Sequence, residues 1–516
     1  MVQKTYSVHK NSVEILAEGP DVIQSKVSRS APRWKSPRTP QYVTSATVTV
    51  GAFSLGNVLG WSSPALVSIE KSGHFPNLVT KDISWIGSLI TIGAVAGAPL
   101  AGYCIEKVGR KNTLLISALP LVLGWLSLAM ATQISMLYIG RFLTGVGIGA
   151  LSLVAPVYLS EISQPEIRGC LGAIFQVVVK FGILFTYVTG CMLPYNYLAG
   201  VCGVVPIFFA IFVAYLPESP RYLLTQSQTQ NATDALCWLR ASDKKCPSKE
   251  VLQEIDEIQE AISRKAQQKL NYKELMSPST LKPLMIVLGL MFFNQFCGGN
   301  AFGFYAVMIF EHSGAGLDSH LSGVTVGVFQ TIATIIASLY VDRAGRRILL
   351  ILSFVVMSLS LVILGAFFHL KSIDAIFHEA VNWIPLVSLV LFNAAYCGGV
   401  ASLVWTVMSE VLPSNIIGFA SGLTTTFNWS LAFLITRFFH DLNGALGPQN
   451  TFWLFAIFCA FGVVFIYWFV PETKGKSLDK IQQEHFESNS GVTTTPSPAT
   501  SSGTLSTTSS TADLVI

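Results

Sequence analysis

Long apolar runs, each of about 20 residues or more and set apart by short polar stretches, organise most of this chain. A helix of about 20 residues crosses the hydrocarbon of a bilayer, so runs near 43–66, 84–104, 113–131, 136–159, 170–192 and 196–215 predict six membrane helices. Runs near 284–308, 320–341, 348–369, 383–408, 417–439 and 450–470 predict about six more. The runs are continuous and lack the period-2 alternation of a barrel strand, so helices are expected. Between the two sets lies a polar stretch in which Val251, Ile255, Ile258 and Ile262 recur at helical spacing among acidic residues, predicting an amphipathic helix docked on the protein.

Composition agrees. Of the 516 residues 51% are hydrophobic and 12% charged, and mean hydropathy is +0.54. Soluble domains carry about 25% charged residues, so this chain lacks the polar surface a water-soluble particle of its size needs. A net charge of +4 on so apolar a chain gives no argument for a nucleic-acid partner. The nine cysteines show no CxxC spacing, which speaks against a disulfide or zinc framework. The eight histidines form no HExxH pair and no GxSxG elbow stands between strand and helix, so an enzyme is not expected.

Positive charge sets the predicted orientation. The loops on one side hold only Lys71, Lys81, Lys371 and Arg437, and Arg141 and Lys180 fall inside spans. Every other Lys and Arg lies on the side shared by the two termini, which are therefore expected in the cytosol. Residues 1–42 contain no signal-peptide core. The resulting division is a tail over 1–42, a bundle over 43–217, a cytosolic helical loop over 218–281, a second bundle over 282–470 and a Ser/Thr-rich tail over 471–516, disordered from about 488.

Landmarks recur after half a chain. Gly109-Arg110-Lys111 follows span 2 and Gly345-Arg346-Arg347 follows span 8; Glu161 closes span 4 and Glu410 closes span 10. Pro217-Glu218-Ser219 follows span 6 and Pro471-Glu472-Thr473 follows span 12. This is the mark of duplicated bundles around a midplane site. The run Gly145-Val-Gly147-Ile-Gly149 lacks a strand–turn–helix setting, so it reads as close helix packing and not as a nucleotide loop.

With these landmarks, Gly140-Arg141, Pro156-x-Tyr158-x-x-Glu161, Arg168-Gly169 with Gln176, Asn294-Gln295-x-x-Gly298-x-Asn300 and Asp342-Arg343-x-Gly345-Arg346-Arg347 stand in order along the chain. Over about residues 43–480 the sequence resembles the sugar porter family of the major facilitator superfamily, and Ser62-Ser63-Pro64-Ala65-Leu66 and Phe427-Asn428-Trp429 are most similar to its insect trehalose and hexose facilitators. The resemblance implies an all-α membrane protein with twelve transmembrane helices in two six-helix pseudo-repeats, acting at the cell membrane by alternating access. It implies a sugar as partner, a monomer in the bilayer and no cofactor or metal.

A neutral polyol needs uncharged groups that both donate and accept, beside an aromatic plate. The midspan amides Gln176, Asn294, Gln295, Asn300, Gln330 and Asn428, with Trp405, suit that need, and the resemblance implies that they contact sugar. Each amide has interhelical packing as its plain alternative. For Asn294 and Gln330, which exchange Asn and Gln relative to the family pattern, both readings stand. Arg110, Glu161, Arg168, Arg346, Arg347 and Glu410 at helix ends are expected to form a latch, paired within and across the halves when the cytosolic side is closed and broken when it opens.

Span 1 contains no Asp, Glu or His in 43–66, which favours uniport; a proton-coupled symporter and a transport-poor sugar sensor remain the alternatives. Three departures bear on them. Ala401-Ser402-Leu403-Val404 stands where the family has Gly-Pro-x-Pro, predicting a straighter span 10 and a stiffer gate. Ile417 stands where an Arg would pair with Glu410, and Lys180 lies one turn beyond Gln176, where a neutral residue is usual.

Overall fold

The computed structural model describes residues 38–243, 246–267, 278–313, 318–373, 381, 383–412 and 417–472. The Ser/Thr-rich tail and most of the N-terminal tail lie outside them, as do the surroundings of the Ile417 side chain. Helix follows helix, and no strand occurs among the described residues.

The first lobe comprises α1 (Thr39–Ser72), α2 (Thr80–Val108), α3 (Arg110–Ala129), α4 (Ile134–Ile162), α5 (Pro165–Gly190) and α6 (Tyr195–Ala214). A polar layer of α7 (Pro220–Thr225), α8 (Thr229–Leu239) and α9 (Lys249–Gln267) follows. The second lobe comprises α10 (Pro278–Phe296), α11 (Gly299–Phe304), α12 (Ala306–Ser313), α13 (Ser319–Ala344), α14 (Arg346–Ile373), α15 (Ile384–Ala395), α16 (Ala401–Val411), α17 (Ile417–Leu446) and α18 (Pro448–Phe469). Among the described residues eleven segments are long and apolar enough to cross a membrane, and α17 occupies the place of the remaining expected span.

Two spans depart from a continuous α-helix. Span 7 breaks at Cys297–Gly298 and again at Tyr305 into α10, α11 and α12, and span 10 passes through a π-helical turn at Tyr396–Val400 between α15 and α16. The expectation of a straighter span 10 is corrected: Gly398 and Gly399 lie in that turn, where the i→i−4 ladder is already interrupted without proline.

Small residues let the helices close in. A Cβ on Gly145 of α4 would come within 2.2 Å of the Ile90 carbonyl oxygen of α2, so the glycine run is a packing seam, as its setting implied. Arg141, one turn before, is fully buried. Its guanidinium donates to the carbonyls of Ile86 (3.0 Å) and Val58 (3.2 Å) and to Ser62 Oγ (2.6 Å), and it stacks over the Trp61 ring. One side chain thus ties α4 to α1 and α2. Large apolar residues such as Leu119, Ile336 and Trp468 face outward, as lipid contact requires.

The repeated landmarks do the same structural work twice. Glu218 Oε1 accepts the backbone N–H groups of Arg110 (2.9 Å) and Lys111 (3.1 Å) at the start of α3. Glu472 accepts those of Arg346 (3.1 Å) and Arg347 (3.2 Å) at the start of α14. Each carboxylate satisfies helix donors that have no partner within the helix and complements the helix dipole. The amphipathic helix is present as α9: Val251 and Ile255 are buried against Leu224 and Leu236, and Arg240 joins Glu254 (2.6 Å) to the Ile162 carbonyl at the end of α4 (3.0 Å). The end bearing α7–α9 and the Gly-Arg turns is called the basic end below.

Candidate solute site between the lobes

The break in span 7 gathers the amides. Gly298 has φ +85°, a left-handed conformation that glycine adopts freely, and a Cβ there would meet the Phe302 ring at 2.6 Å. This turn ends α10 just after Asn294 and Gln295 and restarts the chain just before Asn300. From α17, Asn428 Oδ1 accepts from Asn294 Nδ2 (3.1 Å) and Gln295 Nε2 (2.8 Å). Gln295 Oε1 in turn accepts from Asn300 Nδ2 (2.8 Å). Four of the predicted amides therefore form one connected chain; Asn294, Gln295 and Asn428 are buried and Asn300 is half-buried.

Gln330 stands apart from that chain. It is buried on α13, its Oε1 lies 3.8 Å from Cys397 Sγ in the π-turn, and its Nε2 has no partner. Asn294 Oδ1 is likewise buried and unpartnered. An orphaned donor and an orphaned acceptor in the middle of the membrane each cost free energy unless something else satisfies them. Trp405 is half-buried on α16 and packs against the apolar core. Trp429, adjacent to Asn428, is buried with an unpaired indole N–H.

Gln176 approaches from the other lobe. At about 100° per residue, Gln176, Lys180 and Tyr187 fall within about 40° of one another on α5. The exposed stripe of Ile174, Phe181 and Val188 lies about 100–140° away. Tyr187 reaches across the lobes and donates to the Gly303 carbonyl of α11 (2.8 Å). Gln176 therefore lies on the face turned toward the second lobe and away from lipid. It makes no hydrogen bond among the described residues.

The lobes join at the end opposite the basic end. Ser84 Oγ donates to the Arg437 carbonyl (2.6 Å), Tyr305 to the Thr436 carbonyl (3.1 Å) and the Val307 N–H to Ser63 Oγ (3.1 Å). Lys71 and Glu311 pair at 2.7 Å, and Arg437, paired with Asp441, lies over the Trp85 ring. None of these contacts was foreseen, although opposite charges just outside spans 1 and 7 are a usable signal.

At the basic end, the predicted latch residues divide. Arg110 pairs with Glu161 (2.8 Å) and Arg346 with Glu410 (3.2 Å), each within one lobe. Arg168 is exposed and donates to the Ser163 carbonyl (3.5 Å). The Arg347 guanidinium bonds the Tyr467 carbonyl and stacks on that ring. Neither of these two arginines pairs its guanidinium with Glu161 or Glu410.

Comparison with known proteins adds to this geometry. A family profile described as "Sugar (and other) transporter" matches residues 34–485. The facilitated trehalose transporter Tret1 of Apis mellifera ligustica is 36% identical, over 92% of this chain and 94% of that protein. That of Polypedilum vanderplanki is 38% identical, over 86% of this chain and 88% of its own length. The Aedes aegypti protein of that name is also 38% identical over 86% of this chain, which spans 55% of it. Among solved structures, the proton:xylose symporter XylE bound to 6-bromo-6-deoxy-D-glucose aligns with TM-score 0.71 and 22% identity, over 86% of this chain and 98% of its own. An inward-open structure of the Escherichia coli xylose transporter XylE aligns with TM-score 0.71, 22% identity and coverage of 86% and 99%.

Proposed function

The chain belongs to the sugar transporter family, and from that premise we propose that it carries a hexose or trehalose down its gradient by alternating access. The observation that carries this reading is the uncharged amide chain Asn294–Asn428–Gln295–Asn300 beside a broken helix, with Gln176 on the facing lobe. Sugar hydroxyls donate and accept, so they satisfy both the orphaned Asn294 Oδ1 and the orphaned Gln330 Nε2. A discontinuous helix is how membrane carriers bring backbone and side-chain polar groups to a midplane site.

On this reading the protein sits in the cell membrane, and the positive-inside bias supports an orientation with the basic end and both termini in the cytosol and the joined end outside. In that frame the lobes are held together on the external side by Lys71–Glu311 and the Ser84, Tyr305 and Ser63 bonds. Rocking about the site breaks these contacts and brings the cytosolic ends together, where the Arg110–Glu161 and Arg346–Glu410 pairs lie. Uniport is favoured over proton coupling because α1 offers Arg141 a neutral Ser62, and its one carboxylate, Glu70, is exposed at the helix end.

The test is radiolabelled glucose and trehalose uptake in cells lacking endogenous sugar transport. Saturable uptake that Gln295→Ala impairs is the expected result. Normal surface expression without uptake of either sugar overturns the reading in favour of a transport-poor sensor.

A further inference from the structure

The amide site is neutral, yet the helix that carries Gln176 also carries one charge with no ion-pair partner among the described residues. Lys180 sits a little past the midpoint of the 26-residue α5, half-buried, on the face it shares with Gln176 and with the cross-lobe Tyr187. It makes no ion pair or hydrogen bond among the described residues. The two cations that are buried within the described spans are compensated. Arg141 spends its guanidinium on two carbonyls, a hydroxyl and an indole face, and Arg437 pairs with Asp441. Every Asp and Glu of the described span helices sits near a helix end, far from Lys180 along the membrane normal.

An ammonium in an open, wet cleft keeps its water. When the lobes close over a bound solute that water leaves, and an unpaired charge inside a membrane protein is costly. Among the described residues no midspan carboxylate meets it, so the solute is the remaining source of counter-charge. We propose that Lys180 is a specificity-determining residue that selects a sugar-sized solute bearing one anionic group, a carboxylate or a phosphate. This rests on the sugar-transport reading: the amides take the hydroxyls and Lys180 takes the anion through a charge-assisted hydrogen bond.

The experiment measures uptake of labelled glucuronate and glucose 6-phosphate beside glucose and trehalose, for the wild type, Lys180→Gln and Lys180→Arg. One acid accepted and the other refused identifies the anionic group. The wild type is expected to favour at least one anionic sugar over its neutral parent by roughly ten- to a hundredfold in KM, the size of one charge-assisted hydrogen bond. In Lys180→Gln that ratio falls toward one, and in Lys180→Arg it is retained. A wild type that prefers neutral sugars, a ratio unmoved by Lys180→Gln, or neutral-sugar uptake that needs chloride in place of a sugar acid overturns the proposal. Thermal unfolding of the purified protein with the same four sugars separates the two readings. If nothing is transported, stabilisation of the wild type by the acid, lost in Lys180→Gln, upholds the anion site while the transport reading fails; no such stabilisation overturns both.

Discussion

Replacing Asn428 by Leu tests whether the amide chain serves the solute or merely packs two helices. The substitution keeps the side chain's branching and heavy-atom count, with somewhat bulkier methyls, and removes the one acceptor shared by Asn294 Nδ2 and Gln295 Nε2. Both donors belong to buried residues, so water does not readily replace what is lost. Interhelical hydrogen bonds in membranes average about 0.6 kcal/mol and reach about 1.7. Two of them therefore amount to about 1.2 kcal/mol, with an upper bound of about 3.4. Were that loss confined to the solute-bound state, KM would rise about eightfold, since about 1.4 kcal/mol is a factor of ten. The Gln295 amide, no longer anchored, also stops presenting Asn300 in a fixed direction, because Gln295 Oε1 is what holds Asn300. The assay is zero-trans uptake of the carried sugar with KM and Vmax separated, alongside thermal unfolding in detergent. A raised KM with a melting temperature lowered by only a few degrees is expected. A KM within twofold of wild type together with a clear drop in melting temperature would refute the site assignment and leave the amides as helix-packing groups.

Three further outcomes follow from the same geometry. Gly145→Ala puts a methyl against the Ile90 carbonyl and should cost about 1–3 kcal/mol in thermal unfolding, whereas Gly169→Ala, with nothing within 4 Å, should cost far less; equal losses contradict the packing seam. Lys71→Glu places like charges across the joined end and should raise maleimide labelling of a cysteine introduced on the external side of the cleft. The compensating Lys71→Glu/Glu311→Lys exchange restores protection, by less than about 1 kcal/mol because the pair is partly exposed, and an unchanged pattern removes the pair from the external gate. Proteoliposomes carrying the purified protein should equilibrate sugar without accumulating it under an imposed pH gradient, and accumulation that follows the gradient reinstates proton symport.

Hydropathy made most of the architecture readable, because the bilayer acts on each stretch of about 20 residues independently and a span needs no distant partner to be recognised. The same is true of the Gly145 run, whose lack of side chains leaves close approach as its evident use, and of α9, whose apolar stripe must be buried somewhere. The basic loops carried the expected orientation, since the positive-inside bias is likewise a property of short segments. The amides could be picked out one by one as polar groups in apolar runs. That Asn428 would join Asn294 to Gln295, and Gln295 hold Asn300, leaving Gln330 beside the π-turn, depended on where α17 and α13 pack, which no local pattern encodes. The two interruptions of the helices escaped for a related reason. A broken ladder at Cys297–Gly298 or Tyr396–Val400 is tolerated only because neighbouring helices shield the loosened backbone from lipid, and apolar composition is the same whether the ladder is whole or broken. Likewise, the residues carrying charge were visible along the chain, but Arg141 could be satisfied by carbonyls, Arg346 by Glu410 and Lys71 by Glu311 only once helices far apart in sequence had been set side by side. A charge chooses its partner by distance in space, and that distance exists only in the folded lobes.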